Sequence, residues 1–300
     1  MNNVKIKEIE PDYVHSSNAI YNFMKEFSYL KEAIKNKALT PRYCEENIEY
    51  LDLNYKSEVL KKACVLQKCF CDIPLHSISK KFLLETRDDI EKLDEKIKKE
   101  VEGGSTHIDF YGEYGIAFSK KWAKKRNIQP VQYINENTSL SVQLKNSFEY
   151  VSSKDSISDL VVSDIISRVS FYKPLFGEMG RTIENKTIYF FKNFYDECEW
   201  RYVPEEKKLS KCQISSVIFD KETRKFKDQI SNRLKDEKYR CLWLEFDYQD
   251  IRYLIVPNNN ARNMLIRYIL GLNVDSEDEM QDKCLLISKI IVLEDVKKDF

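Results

Sequence analysis

Segments with the pattern of β-strands are spread along almost the whole chain of 300 residues, and no linker rich in proline, glycine or serine separates them. Runs of β-branched and aromatic residues bounded by turn-forming residues are typical of strands. The strands that we expect in one sheet start near Ala19, Val65, Tyr114, Val131, Glu199, Ile251 and Ile290. Because strands so distant in sequence pair only inside one compact unit, we predict a single α+β domain over residues 1–300. Its sheet is expected to be mixed and mostly antiparallel.

Helical periodicity marks two segments between these strands. The first, over 82–101, is predicted to be an amphipathic helix with a solvated outer face, inserted near 80–102. Its apolar positions are Leu83, Ile90, Leu93, Ile97 and Val101. The second, near 139–172, is predicted to be largely helical because its apolar residues keep the 3.6-residue period. These residues are Leu160, Val161, Ile165, Ile166 and Val169.

From Thr187 onward the chain is predicted to be rich in strands, at 187–194, 199–203, 214–219, 241–246, 251–256 and 285–293. Helices are expected at 222–234 and at 261–270, the latter closed by Gly271. The polar residues 247–250 have the composition of a turn and are expected to join two strands as a hairpin.

Charge and hydropathy limit the partners. The chain has 49 basic and 49 acidic residues, so the overall attraction to nucleic acid or to anionic lipid is missing. No apolar run approaches the roughly 18 residues of a membrane helix, and the first residues lack a signal peptide's apolar block. We therefore expect a cytoplasmic protein without a membrane partner. The basic stretch 120–126 is the one candidate for binding nucleic acid, although a basic helix face is usually only solvated.

The residues of common cofactor sites are also missing. Eight cysteines form no C-x-x-C pair in a chain without an export signal, so we expect free thiols and not disulfides. Three histidines are too few and too scattered to complete a metal site, so no metal is expected. The seven glycines form neither a P-loop nor G-x-G-x-x-G, which argues against kinases, NTPases and Rossmann enzymes.

An acidic and aromatic cluster at 194–202 is the most unusual feature. On a strand, Glu197, Glu199 and Arg201 would share one face. Because an isolated buried carboxylate is costly, such a strand lies either at a solvated edge or beside a cleft, and both alternatives stay open here. Arg201 is expected to pair with Glu197 or Glu199 and to hold that carboxylate ionised.

A series of motifs in fixed order resembles a known family. The motifs are Pro-Arg-Tyr-Cys-x-Glu at 41–46, Cys-Phe-Cys-Asp-Ile-Pro-Leu at 69–75, Tyr-Gly-x-Tyr-Gly-Ile at 111–116, Trp122, Pro-Val-x-Tyr-Ile at 130–134, Tyr-Lys-Pro at 172–174, Phe-Tyr-Asp-Glu-x-Glu-Trp-Arg-Tyr-Val-Pro at 194–204 and Ser-Lys-Ile-Ile at 288–291. This series runs over nearly the whole chain and looks like that of AbiGi-type abortive phage-resistance proteins. Members are described as antitoxins of phage-defence pairs, so the resemblance implies a cognate toxin as partner.

A more distant resemblance, to the ADP-ribosyltransferase fold, implies chemistry. It implies a sheet around a central cleft that takes NAD as substrate and transfers ADP-ribose to a macromolecular acceptor. By this resemblance Glu199 would bond a ribose hydroxyl as the catalytic carboxylate, with Glu197 as a second polar contact. Asn22, Arg42, Tyr111 and Tyr114 would bind NAD around the same pocket. Asn22 stands where the pattern expects histidine.

Two hypotheses from different classes therefore remain. The first is an NAD-dependent ADP-ribosyltransferase of phage defence, which Glu197, Glu199, Tyr111 and Tyr114 favour. The second is a non-catalytic antitoxin or regulatory subunit that binds a partner toxin, which Asn22, the neutral net charge and the family description favour.

Overall fold

The structure is a computed structural model that describes residues 16–55, 58–152, 164, 167–272 and 277–299. Its strands are β1 (Ala19–Met24), β2 (Ala38–Leu39), β3 (Arg42–Asn47), β4 (Asn54–Tyr55), β5 (Glu58–Val59), β6 (Lys62–Cys71), β7 (Tyr114–Ser119), β8 (Ile128–Pro130), β9 (Gln132–Ile134), β10 (Tyr172–Pro174), β11 (Phe176–Ile183), β12 (Lys186–Asn193), β13 (Glu199–Tyr202), β14 (Val217–Ile218), β15 (Leu244–Glu245), β16 (Ile251–Val256) and β17 (Ile290–Val292).

Helices connect and cover these strands. The α-helices are Phe27–Asn36, Leu75–Ile78, Glu95–Glu102, His107–Tyr111, Lys120–Lys125, Ser139–Ser152, Glu206–Cys212, Lys221–Arg224, Lys227–Arg233, Asn259–Leu270, Glu277–Ser288 and Leu293–Asp299. Shorter 3-10 helices are Glu49–Leu51, Ile90–Lys92, Phe194–Glu197 and Glu237–Leu242. In the described parts of the chain, no helix has the length and apolar character needed to cross a bilayer.

The main sheet gathers strands from both ends of the chain. Its strand order is β17-β16-β7-β1-β6-β13-β8, and β3 and β14 also pair with β6. In this sheet β16 and β17 run parallel, and the other strand pairs are antiparallel. The predictions of an α+β fold and of a mixed, mostly antiparallel sheet are therefore confirmed. The strand predicted near Val131 forms as β9 but lies outside the main sheet, because β9 pairs with β10, whereas β8, which ends at Pro130, pairs with β13.

The register of β6 assigns side chains to the two faces of the sheet. Tyr21 of β1 and Glu199 of β13 both lie opposite Cys71. Directly opposed residues of antiparallel strands share a face, whereas successive residues of a strand alternate. Tyr21, Cys71 and Glu199 therefore face one side, and Asn22 faces the other. The Phe27–Asn36 and Asn259–Leu270 helices pack on the Asn22 side, where Leu30 and Leu265 are fully buried.

The helix predicted over 82–101 is much shorter, because its first half is extended. The α-helix begins only at Glu95. Before it, the segment around Glu85 and Arg87 exchanges backbone hydrogen bonds with β12, and Phe82 pairs with Ser105. Helical spacing of apolar residues cannot anticipate this pairing, because the partner strand lies about a hundred residues away in sequence.

Other differences also follow from tertiary pairing. The turn at 247–250 forms, with the Asp250 N–H donating to the Asp247 carbonyl, but it joins no hairpin, because β15 pairs with β2 and β16 with β7. The strand predicted at 285–293 is helical up to Ser288, which lets Leu286 reach the core. In the helix predicted near 139–172, Ser139–Ser152 is helical and Tyr172 starts β10, whereas Leu160, Val161, Ile165 and Ile166 lie outside the described residues.

A pair of aliphatic truncations tests the corrected helix boundary. Ile97 is 2% exposed in the Glu95–Glu102 helix, whereas Leu83 is 77% exposed in the extended segment before it. Ile97→Ala is expected to lower the free energy of unfolding by about 2 to 5 kcal/mol, because it leaves a cavity against Ile188 and Phe190. Leu83→Ala, the matched control, is expected to cost less than about 0.5 kcal/mol. Urea unfolding measures both, and equal costs would contradict the boundary.

Candidate functional site

Glu197 and Glu199 approach the same lysine because of the backbone between them. Glu197 ends the Phe194–Glu197 turn, in which the Asn193 side chain accepts a hydrogen bond from the Tyr195 N–H. Cys198 then adopts a left-handed conformation with φ 44°, and β13 starts at Glu199. This change of direction brings both carboxylates within 2.6 Å of Lys173 Nζ.

Lys173 reaches this position through a parallel strand pair. β9 and β10 place Lys173 opposite Tyr133. The Tyr133 hydroxyl in turn accepts a hydrogen bond of 2.8 Å from the Glu199 backbone N–H. The short β9–β10 ladder thus holds a cation and a hydroxyl against the start of β13.

The two carboxylates belong to a larger buried network of charges. Its cations are Lys173, Lys192 and Arg201, and its carboxylates are Glu46, Glu197 and Glu199. Three positive charges therefore meet three negative ones. Five of the six residues are at most 8% exposed, and Glu46 is partly buried. We call these six residues the buried charge network. Burying a charge is costly unless the charge is paired. The equal numbers of positive and negative side chains therefore offset much of the cost of burying this network.

Glu197 and Glu199 are the two carboxylates that contact Lys173. Each of their oxygens accepts at least one hydrogen bond from another side chain. In Glu199, Arg201 Nε donates to Oε1 at 2.6 Å and Lys173 to Oε2. In Glu197, Lys173 donates to Oε2, and both Lys192 and the Tyr111 hydroxyl donate to Oε1. The predicted pairing of Arg201 with Glu199 is thereby confirmed.

Arg201 continues the buried charge network toward β3. It is fully buried, donates to the Ser170 carbonyl at 2.9 Å, and lies 3.1 Å from Glu46 Oε1. The same Glu46 oxygen accepts a hydrogen bond of 2.6 Å from Gln67 Nε2. These contacts tie β3, β6 and β13 together through side chains as well as through the ladder.

Opposing effects set the pKa values in the buried charge network. Burial alone would raise the pKa of Glu199, but Arg201 and Lys173 lower it to about 2. Burial also acts to raise the pKa of Glu197, yet Lys173 and Lys192 hold it well below its usual range. Burial would lower the pKa of Lys173, but Glu197 and Glu199 raise it well above its ordinary value. All three side chains are therefore ionised at neutral pH.

These shifts predict a loss of stability in acid. Because the pKa of Glu199 is lower in the folded chain than the ordinary 4.3 or so, its contribution is present above that value and is lost as the pH falls toward 2. The free energy of unfolding is expected to fall between pH 6 and pH 2 by on the order of 3 kcal/mol from this group.

Urea unfolding at pH 6, 4 and 3 measures this loss. Glu199→Gln should flatten the pH dependence, whereas Glu49→Gln, at an exposed glutamate paired with Lys61, should leave it unchanged. Equal slopes for the wild type and Glu199→Gln would contradict the assignment.

Tyr111 is the aromatic residue that the structure brings to the acidic cluster. It ends the His107–Tyr111 helix, and burial and then Glu197 raise its pKa well above the ordinary value, so it stays a hydrogen-bond donor. His107 packs beside it, with ring centroids 4.5 Å apart. Burial and then Lys192 lower the pKa of His107 to about 3, so this imidazole is neutral near pH 7.

The other predicted site residues lie elsewhere. Asn22 is buried on the opposite face of the sheet from Glu199, and its Nδ2 donates to the Cys69 carbonyl at 2.7 Å. Tyr114 lies opposite Met24 on that same face and packs against Phe27. Arg42 is exposed at the start of β3. The structure thus brings Tyr111, Glu197 and Glu199 together, and it does not bring Asn22, Arg42 and Tyr114 to them.

Sequence reasoning missed Lys192, Lys173 and Gln67 as members of the site. A signal for Lys192 exists, because β12 buries Ile188 and Phe190 in alternation and Lys192 continues that inward series. Lys173 belongs to the Tyr-Lys-Pro motif but has no pattern that predicts burial. Gln67 sits in an apolar strand and is fully buried.

Two cavities lie away from Glu197 and Glu199. Cavities of about 530 and 450 Å³ border Leu51 and Phe148 in one case and Lys37 and Tyr248 in the other, and neither is lined by Glu197 or Glu199. Across the residues with described positions, no group of histidine, cysteine, aspartate and glutamate could hold a metal ion.

Comparisons with known proteins identify the family. A family model described as "Putative abortive phage resistance protein AbiGi, antitoxin" matches residues 102–257. A protein of Lactococcus lactis subsp. cremoris named abortive phage resistance protein AbiGi is 30% identical over 273 residues, which cover 88% of this chain and 100% of that protein. No solved structure matches significantly, so the ADP-ribosyltransferase-like fold stays a prediction. On these two matches, the chain belongs to the AbiGi family of abortive phage-resistance proteins.

Proposed function

We propose that this chain is a non-catalytic antitoxin that binds and neutralises a partner toxin of a phage-defence pair. The family description supports the role. The observation that carries its non-catalytic part is that Glu197 and Glu199 are buried and that each of their carboxylate oxygens already accepts a hydrogen bond from a lysine, an arginine or a tyrosine.

Transfer of ADP-ribose would require a different carboxylate. Breaking the bond between nicotinamide and ribose develops positive charge, which a carboxylate stabilises only if an oxygen faces the ligand. Glu197 is 3% exposed and Glu199 is 5% exposed. A ribose hydroxyl that took the place of Lys173 or Arg201 at Glu199 would remove one of the two carboxylate partners of that buried cation, which is costly.

The predicted binding residues add a geometric argument. An NAD pocket built from Asn22, Tyr114 and Glu199 would have to include both faces of one sheet, because Asn22 and Glu199 point to opposite sides of it. The buried charge network instead joins β3, β10, β12 and β13, which suits a rigid scaffold for protein binding.

Neutralisation of a toxin is the direct test. Each gene adjacent to this one is expressed from an inducible promoter, with and without this chain. We expect one neighbour to arrest growth, the chain to relieve the arrest, and the two proteins to co-purify. If no neighbour is neutralised or co-purified, the antitoxin proposal is wrong.

Labelled NAD tests the alternative separately. The pure protein is incubated with NAD labelled in its adenylate phosphate and with host or phage lysate, and we expect no transfer of label to protein. Transfer that is lost in Glu199→Gln but kept in Glu49→Gln would establish the enzyme, provided that Glu199→Gln still melts cooperatively.

A further inference from the structure

Two cysteines outside the buried charge network form a close pair on the surface. Cys212 Sγ and Cys241 Sγ lie 3.3 Å apart, although the residues are 29 positions apart in sequence. Cys241 is exposed and Cys212 is partly exposed, and both are free thiols. Small oxidants in solution can therefore reach the pair.

The backbone holds both thiols in place. Cys212 is the last residue of the Glu206–Cys212 helix, which Gln213 closes with a left-handed conformation and hydrogen bonds to the Leu209 and Ser210 carbonyls. Cys241 lies in the Glu237–Leu242 turn. The guanidinium of its neighbour Arg240 donates hydrogen bonds to the Asn36 carbonyl at 3.0 Å and to the Glu245 carboxylate at 2.8 Å.

Packing beneath the pair joins the two elements. Leu209 is 1% exposed and Leu242 is fully buried, and both belong to one apolar cluster with Tyr43, Leu66 and Leu234. The thiols thus face each other because their elements share a core, and two groups fixed in this way react with a high effective concentration.

We propose that Cys212 and Cys241 are an oxidation-sensitive dithiol that a peroxide closes to a disulfide. The sulfur of Cys241, the more exposed of the two residues, attacks one peroxide oxygen, so an S–O bond forms, the O–O bond breaks, and the departing hydroxide leaves as water with the Cys241 proton. The Cys212 sulfur then attacks the Cys241 sulfur. The S–S bond forms as the S–O bond breaks, and a second water leaves with the Cys212 proton. The two thiols lose two electrons, and the peroxide accepts them.

Closure would tie the Glu206–Cys212 helix to the Glu237–Leu242 turn across the segment 213–240. A cross-link over a loop of this length restricts the unfolded chain and is expected to raise the melting temperature by roughly 5 °C or more. Reduction with dithiothreitol should reverse the rise. The exposed Cys284 lies on the Glu277–Ser288 helix, and its substitution serves as a control.

The test uses the purified full chain and hydrogen peroxide. After oxidation, free thiols are blocked with N-ethylmaleimide, and the protein is digested without reductant and analysed by mass spectrometry. We expect one linked peptide pair that contains Cys212 and Cys241, lighter than the sum of its parts by about 2 Da for the hydrogens lost. Cys284→Ser should retain this product, and Cys212→Ser should lose both the product and the rise in melting temperature.

Two results would overturn the proposal. One is that Cys212 and Cys241 both remain alkylated by N-ethylmaleimide at a peroxide concentration that already oxidises Cys284. The other is that disulfides between Cys284 and a second copy of the chain form as readily as the link between Cys212 and Cys241, which would indicate non-specific intermolecular coupling.

Discussion

Gly112→Ala is expected to destabilise the protein by at least about 4 kcal/mol, because two costs add at this position. Gly112 has φ 108° and ψ 167°, a conformation that only glycine adopts readily. A Cβ placed there would also overlap the backbone carbonyl of Met24 and approach the Lys25 nitrogen. Neither obstacle is a flexible side chain, so the backbone between β1 and the following helix would have to move.

The same substitution at Gly271 provides the control. Gly271 closes the Asn259–Leu270 helix with φ −77°, and an added Cβ would lie 3.3 Å from the Arg267 carbonyl oxygen. Gly271→Ala is expected to change the free energy of unfolding by less than about 1 kcal/mol. Urea unfolding compares the two variants, and a Gly112→Ala protein as stable as Gly271→Ala would show that the turn after Tyr111 is not as described.

Lys173→Met is expected to lower the free energy of unfolding by about 3 to 5 kcal/mol, because it leaves a buried negative charge without compensation. Lys173 is the cation shared by Glu197 and Glu199, whose remaining cationic partners are Lys192 for Glu197 and Arg201 for Glu199. Methionine keeps the length of the side chain, so the loss is mainly electrostatic. The matched control Lys61→Met removes the partner of Glu49 at an exposed pair and should cost less than about 1 kcal/mol.

A double variant separates charge balance from packing. Lys173→Met combined with Glu197→Gln restores neutrality to the buried charge network, so it should recover part of the loss caused by Lys173→Met alone. Such non-additivity is expected for residues in one ion-pair network. Additive losses in chemical denaturation would mean that Lys173 contributes by packing and not by charge.

Several local features could be predicted from the sequence because their causes are local. The first strand begins at Ala19, as its run of apolar and aromatic residues predicts. Serine is a favoured residue just before a helix, and the Ser119 hydroxyl caps the short basic helix by accepting a hydrogen bond from the Trp122 N–H. The alternation of residues along β13 correctly placed Glu199 and Arg201 on one face, where they pair. Each of these depends on residues within a few positions of one another.

The environment of that face depended on residues distant in sequence. Alternation indicates which side chains share a face, but not what packs over it, so the sequence left both a solvated edge and a cleft open for Glu197 and Glu199. The structure has neither, because Lys173 from β10 and Lys192 from β12 cover the carboxylates. In the same way, pairing of the Glu85–Arg87 segment with β12 overrode a helical pattern.

The class of fold, the main strands and the family could therefore be predicted from the chain alone, because they follow from local patterns and from the order of motifs along it. The closure and neutrality of the acidic cluster, and the contact between Cys212 and Cys241, become evident only in the packed fold. Charges from β3, β10, β12 and β13 neutralise one another only after these strands have packed, and the energy of a buried charge depends on its neighbours in space and not on its neighbours in the chain.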